Sequence, residues 1–194
     1  MKTKTILWID AAPERRSRTR ELTEYYLKKE GGSVSHRILR DPELSSLDTE
    51  TLAFREKCSA EGNFSDRLFD LAKEFALADE IVLTAPFWDN SFPAVLKKYI
   101  EAISVSGLTF RYSEEGVPVG LCRAEKLVYV TTAGGRIFCE TFGFGYVAEL
   151  AKTMFGIPES ILIKAEELDL VGADENAILE KAKAAIDDLF DGKK

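Results

Sequence analysis

Cysteine and histidine are scarce in this chain of 194 residues, with three of the first and one of the second. Cys58, Cys122 and Cys139 are odd in number, widely spaced and form no C-x-x-C pair, so they read as reduced thiols in a cytosolic, cytoplasmic protein. The single histidine, His36, falls in a strand-like segment, 34–39. That position argues against a histidine-based metal site and against a Ser-His-Asp triad on the functional edge of a sheet. No apolar stretch approaches the roughly 20 residues that cross a bilayer, and the segment 1–6 runs into a strand pattern without a signal-peptide core. No membrane partner is expected. Positive charge is also in deficit: the net charge is −7, which argues against non-specific nucleic-acid binding. Neither a Walker A lysine pattern nor G-x-G-x-x-G is present, which disfavours a nucleoside triphosphate or a dinucleotide held in Rossmann fashion. No serine or cysteine sits in a nucleophile-elbow motif, so a hydrolase lacks its activated nucleophile.

What remains is an ordinary globular balance, 45% hydrophobic and 30% charged residues, in a length that suits one domain over 1–194. Apolar runs at 4–9, 33–39, 80–85, 126–131 and 160–165 read as five short strands. Helical periods follow at 17–29, 64–76, 94–104, 141–155 and 174–190, and Gly31-Gly32 stops the first of them. Residues 41–63 read as polar and irregular, with helical pieces at most, and 107–116 as a polar hairpin-like excursion. Strands alternating with helices predict an α/β fold, a parallel sheet covered on both faces. With five strands and no internal repeat, the flavodoxin-like order 2-1-3-4-5 is the expected topology, a three-layer fold.

In that topology the loops after strands one, three and four emerge on one edge of the sheet. The first, Asp10-Ala11-Ala12-Pro13-Glu14-Arg15-Arg16-Ser17-Arg18-Thr19-Arg20, opens a helix at about Ser17. Free N–H groups, the hydroxyls of Ser17 and Thr19, and the cations Arg15, Arg16 and Arg18 suit one phosphate; an N-cap serine beside a solvated basic run has the same signature. The second loop is Pro86-Phe87-Trp88-Asp89-Asn90-Ser91-Phe92-Pro93. Either its aromatics wall a flat ligand or they fold back into the core, and the segment alone does not choose. The third, Thr131-Thr132-Ala133-Gly134-Gly135, carries paired glycines that allow close backbone approach or positive φ. A phosphate pocket, an aromatic wall and a glycine turn on one edge outline a site for a mononucleotide with a planar ring system, flavin mononucleotide (FMN).

The loop at 86–93 with Leu96-Lys97, then Gly107-Leu108-Thr109-Phe110-Arg111-Tyr112, residues 116–121, and Thr132-Ala133-Gly134-Gly135 together resemble the flavin-dependent NAD(P)H:quinone oxidoreductases of flavodoxin-like fold, in particular the FMN-dependent NADH-azoreductases. The family patterns are P-M-[YW]-N-F-x-x-P…L-K, G-x-T-F-x-Y…G-x-x-G-L and S-x-G-G. The resemblance implies FMN as cofactor and NADH or NADPH as electron donor. It implies a quinone or azo compound as acceptor, two hydride-transfer half-reactions in one pocket, and a homodimer. It assigns Ala12, Ser17, Arg18 and Thr19 to the phosphate, and Pro86, Phe87, Trp88, Asp89 and Asn90 to the ring. Thr132, Ala133, Gly134 and Gly135 fall at its pyrimidine end, and Tyr112 lines the substrate cleft. No protein catalytic residue is implied, because the flavin carries the chemistry. Ala11-Ala12 stand where the family has a serine, and Asp89-Asn90 where it has Asn-Phe. Asp89 either lowers the flavin potential by like-charge repulsion or turns into solvent. The alternative from a different class is an electron-transfer or flavin-free partner-binding protein of the same fold.

Overall fold

The computed structural model of the chain describes residues 3–14, 16–40, 44 and 46–191. In chain order the elements are β1 (Thr5–Asp10), α1 (Arg18–Glu30), β2 (Ser33–Ile38), α2 (Thr49–Glu61), α3 (Asp70–Leu77) and β3 (Glu80–Thr84). They continue with α4 (Ala94–Ile103), β4 (Phe110–Tyr112), β5 (Pro118–Gly120), β6 (Lys126–Thr132), α5 (Tyr146–Leu150), β7 (Glu159–Ala165) and α6 (Glu175–Asp191). Five parallel strands pair in the order β2-β1-β3-β6-β7, and β4 and β5 form a separate antiparallel hairpin. Counting the parallel strands alone, this is the expected 2-1-3-4-5. The strands that are apolar almost throughout, β1, β3 and β6, lie in the middle and are buried on both faces. The polar β2, Ser-Val-Ser-His-Arg-Ile, is exposed along its length and takes an edge.

Alternation along each strand divides the core in two. Leu7, Ile9, Ile81, Leu83, Leu127 and Tyr129 pack against α3, α4 and the α5 region through Phe75, Leu96, Tyr99 and Phe155. Ile6, Trp8, Val82, Val128 and Val130 face α1 and α6 through Leu22, Tyr26, Leu179 and Ile186. Strand period two therefore feeds both helical layers.

Two segments differ from the sequence reading. Residues 41–63 are not merely irregular, for α2 is a 13-residue helix within them. It buries only Arg55 and Cys58 and so carries no apolar stripe for periodicity to detect. Its punctuation was the available signal: Asp48 accepts from the Thr51 amide at 2.8 Å, and Gly62 ends the helix at φ 64°. The Arg55 guanidinium in turn donates to the carbonyls of Glu101 and Ser104 at the end of α4. Residues 141–155 are helical as expected, but as one α-helical turn set, α5, between two π-helical stretches, Thr141–Gly145 and Ala151–Phe155.

Candidate functional site

The first loop is organised from below by Asp10, the last residue of β1 and wholly buried. Its carboxylate accepts the Ala12 amide at 3.0 Å and the Arg20 Nε at 2.6 Å, and the His36 Nε2 lies 3.3 Å away. Arg20 also donates to the carbonyls of Ala12 at 2.9 Å and Glu14 at 2.7 Å. One guanidinium thus ties loop 11–14 to the strand end. Sequence reasoning missed both residues, since an Asp and an Arg ten positions apart have no motif. His36 lies in β2, in line with the strand read from the sequence, and its ring stacks on Trp8 of the neighbouring strand with centroids 3.6 Å apart.

Ser17 is the N-cap of α1, accepting from the Arg20 amide at 3.3 Å, while its carbonyl takes the Glu21 amide. The amides of Arg18 and Thr19 have no intrahelical acceptor at this end. Arg15 lies outside the described residues. Arg18 is engaged, its guanidinium donating to Asp169 at 2.7 Å and holding that carboxyl below the usual range. The Thr19 hydroxyl faces inward, 2.6 Å from that of Thr132, which leaves its amide as its group nearest the loop.

The aromatic loop divides its two rings. Pro86 and Phe87 are half-buried, and the Phe87 amide donates to the Thr132 carbonyl at 3.0 Å. Trp88 is 47% exposed. Trp88 and Ser91 exchange both backbone hydrogen bonds across Asp89 and Asn90, whose φ values are 50° and 62°. That is a tight turn with two consecutive left-handed residues, the conformation that Asp and Asn tolerate best. Both residues are exposed, and the departure at Asp89-Asn90 has a backbone reason. Ser91 Oγ anchors the turn to the Phe142 carbonyl at 2.6 Å.

In the third loop, Thr132 and Ala133 are buried, and the carbonyls of Ala133, Gly134 and Gly135 accept from the amides of Leu168, Asp169 and Glu167. A Cβ on Gly134 would sit 2.2 Å from Asp169 Oδ2, whereas one on Gly135 would meet no atom within 4 Å. A side chain at Gly134 would push the exposed Asp169 carboxylate off Arg18, whereas Gly135 is the position left open for close approach from outside.

Between the first and second loops lies a cleft of about 750 Å³ lined by residues 11–14, Arg20, His36, residues 38–40, Trp88 and residues 93–95. It occupies the switch point between β1 and β3, where sheets of this order bind their ligands, and its volume is that of a small-molecule site. Of the predicted site residues, Ala12 and Trp88 line it. The third loop joins it through the Phe87–Thr132 and Thr19–Thr132 hydrogen bonds without forming its wall. Among the described residues there is no cluster of three or more His, Cys, Asp or Glu suited to a metal ion.

A family model described as flavodoxin-like fold matches residues 4–190. The chain belongs to this flavodoxin-like family. It is 37% identical over 187 residues to an FMN-dependent NADH:quinone oxidoreductase 2 of Clostridium acetobutylicum, covering 90% of this chain and 92% of the relative. An FMN-dependent NADH-azoreductase from Bacillus anthracis, solved in complex with FMN, superposes with TM-score 0.78 at 18% identity, over 96% of this chain and 97% of that one. An NAD(P)H:quinone oxidoreductase from Methanothermobacter marburgensis superposes with TM-score 0.72 at 20% identity, over 97% and 100%. At such identities the two structures establish the shared flavodoxin-like fold.

Tyr112, 55% exposed, is absent from the lining of the cleft. Its hairpin is rooted at the end of α4, where Thr109 Oγ1 donates to the Ile103 carbonyl at 2.7 Å. Because α4 runs back from the strands' C-terminal edge, that root lies at the far end of the sheet.

Proposed function

We propose that this chain is an FMN-dependent NAD(P)H oxidoreductase that reduces quinones or azo compounds. The observation that carries the reading is the cleft at the β1/β3 switch point, lined by loop 11–14, Arg20, His36 and Trp88 beside the N-terminal turn of α1. The donor set fits a mononucleotide phosphate. Ser17 and the amides of Arg18 and Thr19 offer hydrogen bonds at a helix N-terminus, and Arg18, held by Asp169, supplies a fixed cation. Pro86, Phe87, Trp88, Asp89 and Asn90 would flank the ring, the last two through their backbone, and Thr132, Ala133, Gly134 and Gly135 its pyrimidine end. FMN, when bound, supplies two-electron hydride chemistry, taking hydride from NAD(P)H and passing it to the acceptor in a ping-pong sequence. The protein's part is to hold and orient it.

Gly135→Ala tests the reading. The new methyl meets no protein atom, so the apoprotein's unfolding midpoint stays at its wild-type value. A flavin edge that approaches this backbone is displaced, and FMN affinity, read by fluorescence quenching, falls about tenfold, about 1.4 kcal/mol. Wild-type protein that neither quenches FMN nor releases it on acid treatment removes the proposal in favour of a flavin-free binding protein.

The active form in this reading is a homodimer in the cytoplasm. Its support is Tyr112, which does not line the cleft of its own chain, together with exposed Phe138, Phe142 and Val117. Cys58, Cys122 and Cys139 are free thiols, and among the described residues no helix is long and apolar enough to cross a membrane. Light scattering at micromolar concentration is expected to give twice the monomer mass. A fully active monomer would contradict it.

A further inference from the structure

Among the described residues, three buried side chains hold a polar atom without a hydrogen-bond partner: the hydroxyls of Tyr99, Tyr129 and Thr131. Native interiors rarely leave such groups unsatisfied, and two of the three open into one chamber. Tyr129 and Thr131 alternate on the same face of β6, and Leu162 and Lys164 stand opposite them in register on β7. Over these strands the segment 137–144 forms a roof, and Phe87 closes the side beneath the aromatic loop. The chamber is lined by Phe87, Tyr129, Thr131, Ile137, Glu140, Phe144 and Leu162, and leaves about 10 Å³ for the centre of a water molecule. That is room for one water and no more.

We infer that this chamber is a binding site for a single buried water, which bridges Tyr129 Oη, Thr131 Oγ1 and the Glu140 carboxylate. A buried water needs two to four polar partners, and these three residues supply them. Burial keeps the Tyr129 phenol protonated, so its O–H donates to the water. The water's own hydrogens go to the Thr131 hydroxyl oxygen and to Glu140. Glu140 is itself fixed, accepting from Lys164 Nζ at 2.6 Å, and Lys164 also reaches Glu166 at 3.1 Å. The Glu166 carboxylate takes the Ile137 amide at 2.6 Å, so the roof is bound to β7 at both ends of the chamber. The water completes this frame on the β6 side and backs the Phe87 wall of the functional edge.

The molecule contains its own control. Tyr99 lines a void of the same size, about 10 Å³, with Phe75, Leu83, Leu96, Ile100, Ile103, Leu127, Val147, Leu150 and Phe155, and this void presents no polar surface. A void without polar partners stays dry, so it supplies no water to the Tyr99 hydroxyl. Polarity, not volume, separates the two.

The test is the sign of a stability change. A bridged hydroxyl stabilises the fold, whereas an orphaned buried hydroxyl opposes it, so that removing it is neutral or favourable. Tyr129→Phe and Thr131→Val each keep side-chain shape. Both are expected to lower the urea midpoint, and the double variant to lose less than the sum, since both act through one water. Tyr99→Phe should leave the midpoint unchanged or raise it. A crystal structure beyond 1.8 Å resolution would show the water peak within hydrogen-bond distance of both β6 hydroxyls. If Tyr129→Phe and Thr131→Val raise the midpoint as Tyr99→Phe does, or if density in the chamber is empty, the inference is overturned. FMN enters none of these measurements, so failure of the flavin reading leaves them interpretable.

Discussion

Gly120→Ala should destabilise the fold by about 3 kcal/mol or more, the upper range for forcing atoms into a packed interior. Gly120 ends β5 where the hairpin lies against the stop of the α5 helical segment. A Cβ there would sit 2.1 Å from the Gly156 nitrogen and 2.2 Å from the Phe155 carbonyl carbon. Both are backbone atoms, so no side-chain rotation relieves the clash. Gly156 cannot retreat easily either, because it terminates the helix in the left-handed region at φ 74°. The chain must therefore part the hairpin from the helix or distort the helix end. Urea unfolding reads the loss directly, and the Gly135→Ala variant, which meets nothing, is the matched comparison. A loss below about 0.5 kcal/mol, the scale of ordinary surface substitutions, would mean that the two backbones do not approach as described.

The other large effect is at the opposite edge of the sheet from the cleft. Glu80, wholly buried at the start of β3, is joined by Lys4 and by Lys126 at 3.1 Å, and accepts from Tyr26 Oη at 2.8 Å. Glu30 shares both lysines. Glu80→Ala leaves Lys4 and the buried Lys126 to share the one carboxylate of Glu30, an excess of one positive charge. Breaking a buried ion pair by removing one partner costs about 3–5 kcal/mol. Replacing Glu80 and Lys126 together with apolar residues should recover much of that loss. The same cluster sets an acid limit. Burial opposes ionisation of Glu30, but hydrogen bonds from Lys4 and Lys126 outweigh it and hold its carboxyl at about 2. A lowered carboxyl contributes stability that is fully present above its ordinary value of 4.5 and is lost as pH falls towards 2. Unfolding midpoints measured from pH 5 down to pH 2 should decline through that window, and less steeply in Glu30→Gln. A wild-type profile flat between those limits would contradict the assignment.

Strand positions were legible in the chain because β1, β3 and β6 are apolar on both faces, and alternation with helices leaves few topologies open. The helix starts at Ser17 and Pro93 and the stop at Gly31 were legible for local reasons of the same kind. By contrast α2 escaped because a helix lying on the surface with two buried residues, Arg55 and Cys58, has no period to read. The turn at Asp89-Asn90 was visible as a departure from a family pattern, but its cause, two left-handed residues in succession, is a backbone fact.

The candidate site divides in the same way. The sequence by itself determined which loops share an edge, because strand order follows from local pattern and crossover handedness, and it named the residues at each loop. Only the tertiary structure decided what those residues do there. It turned the Thr19 hydroxyl onto Thr132, bound Arg18 to Asp169, set Gly134 against the Asp169 side chain and left Gly135 open. It also brought Asp10, Arg20 and His36 together from three elements. Such contacts join positions separated by ten to more than a hundred residues. Local propensity acts over a few residues, so no local rule reaches them; they exist only once the sheet has set its strands side by side.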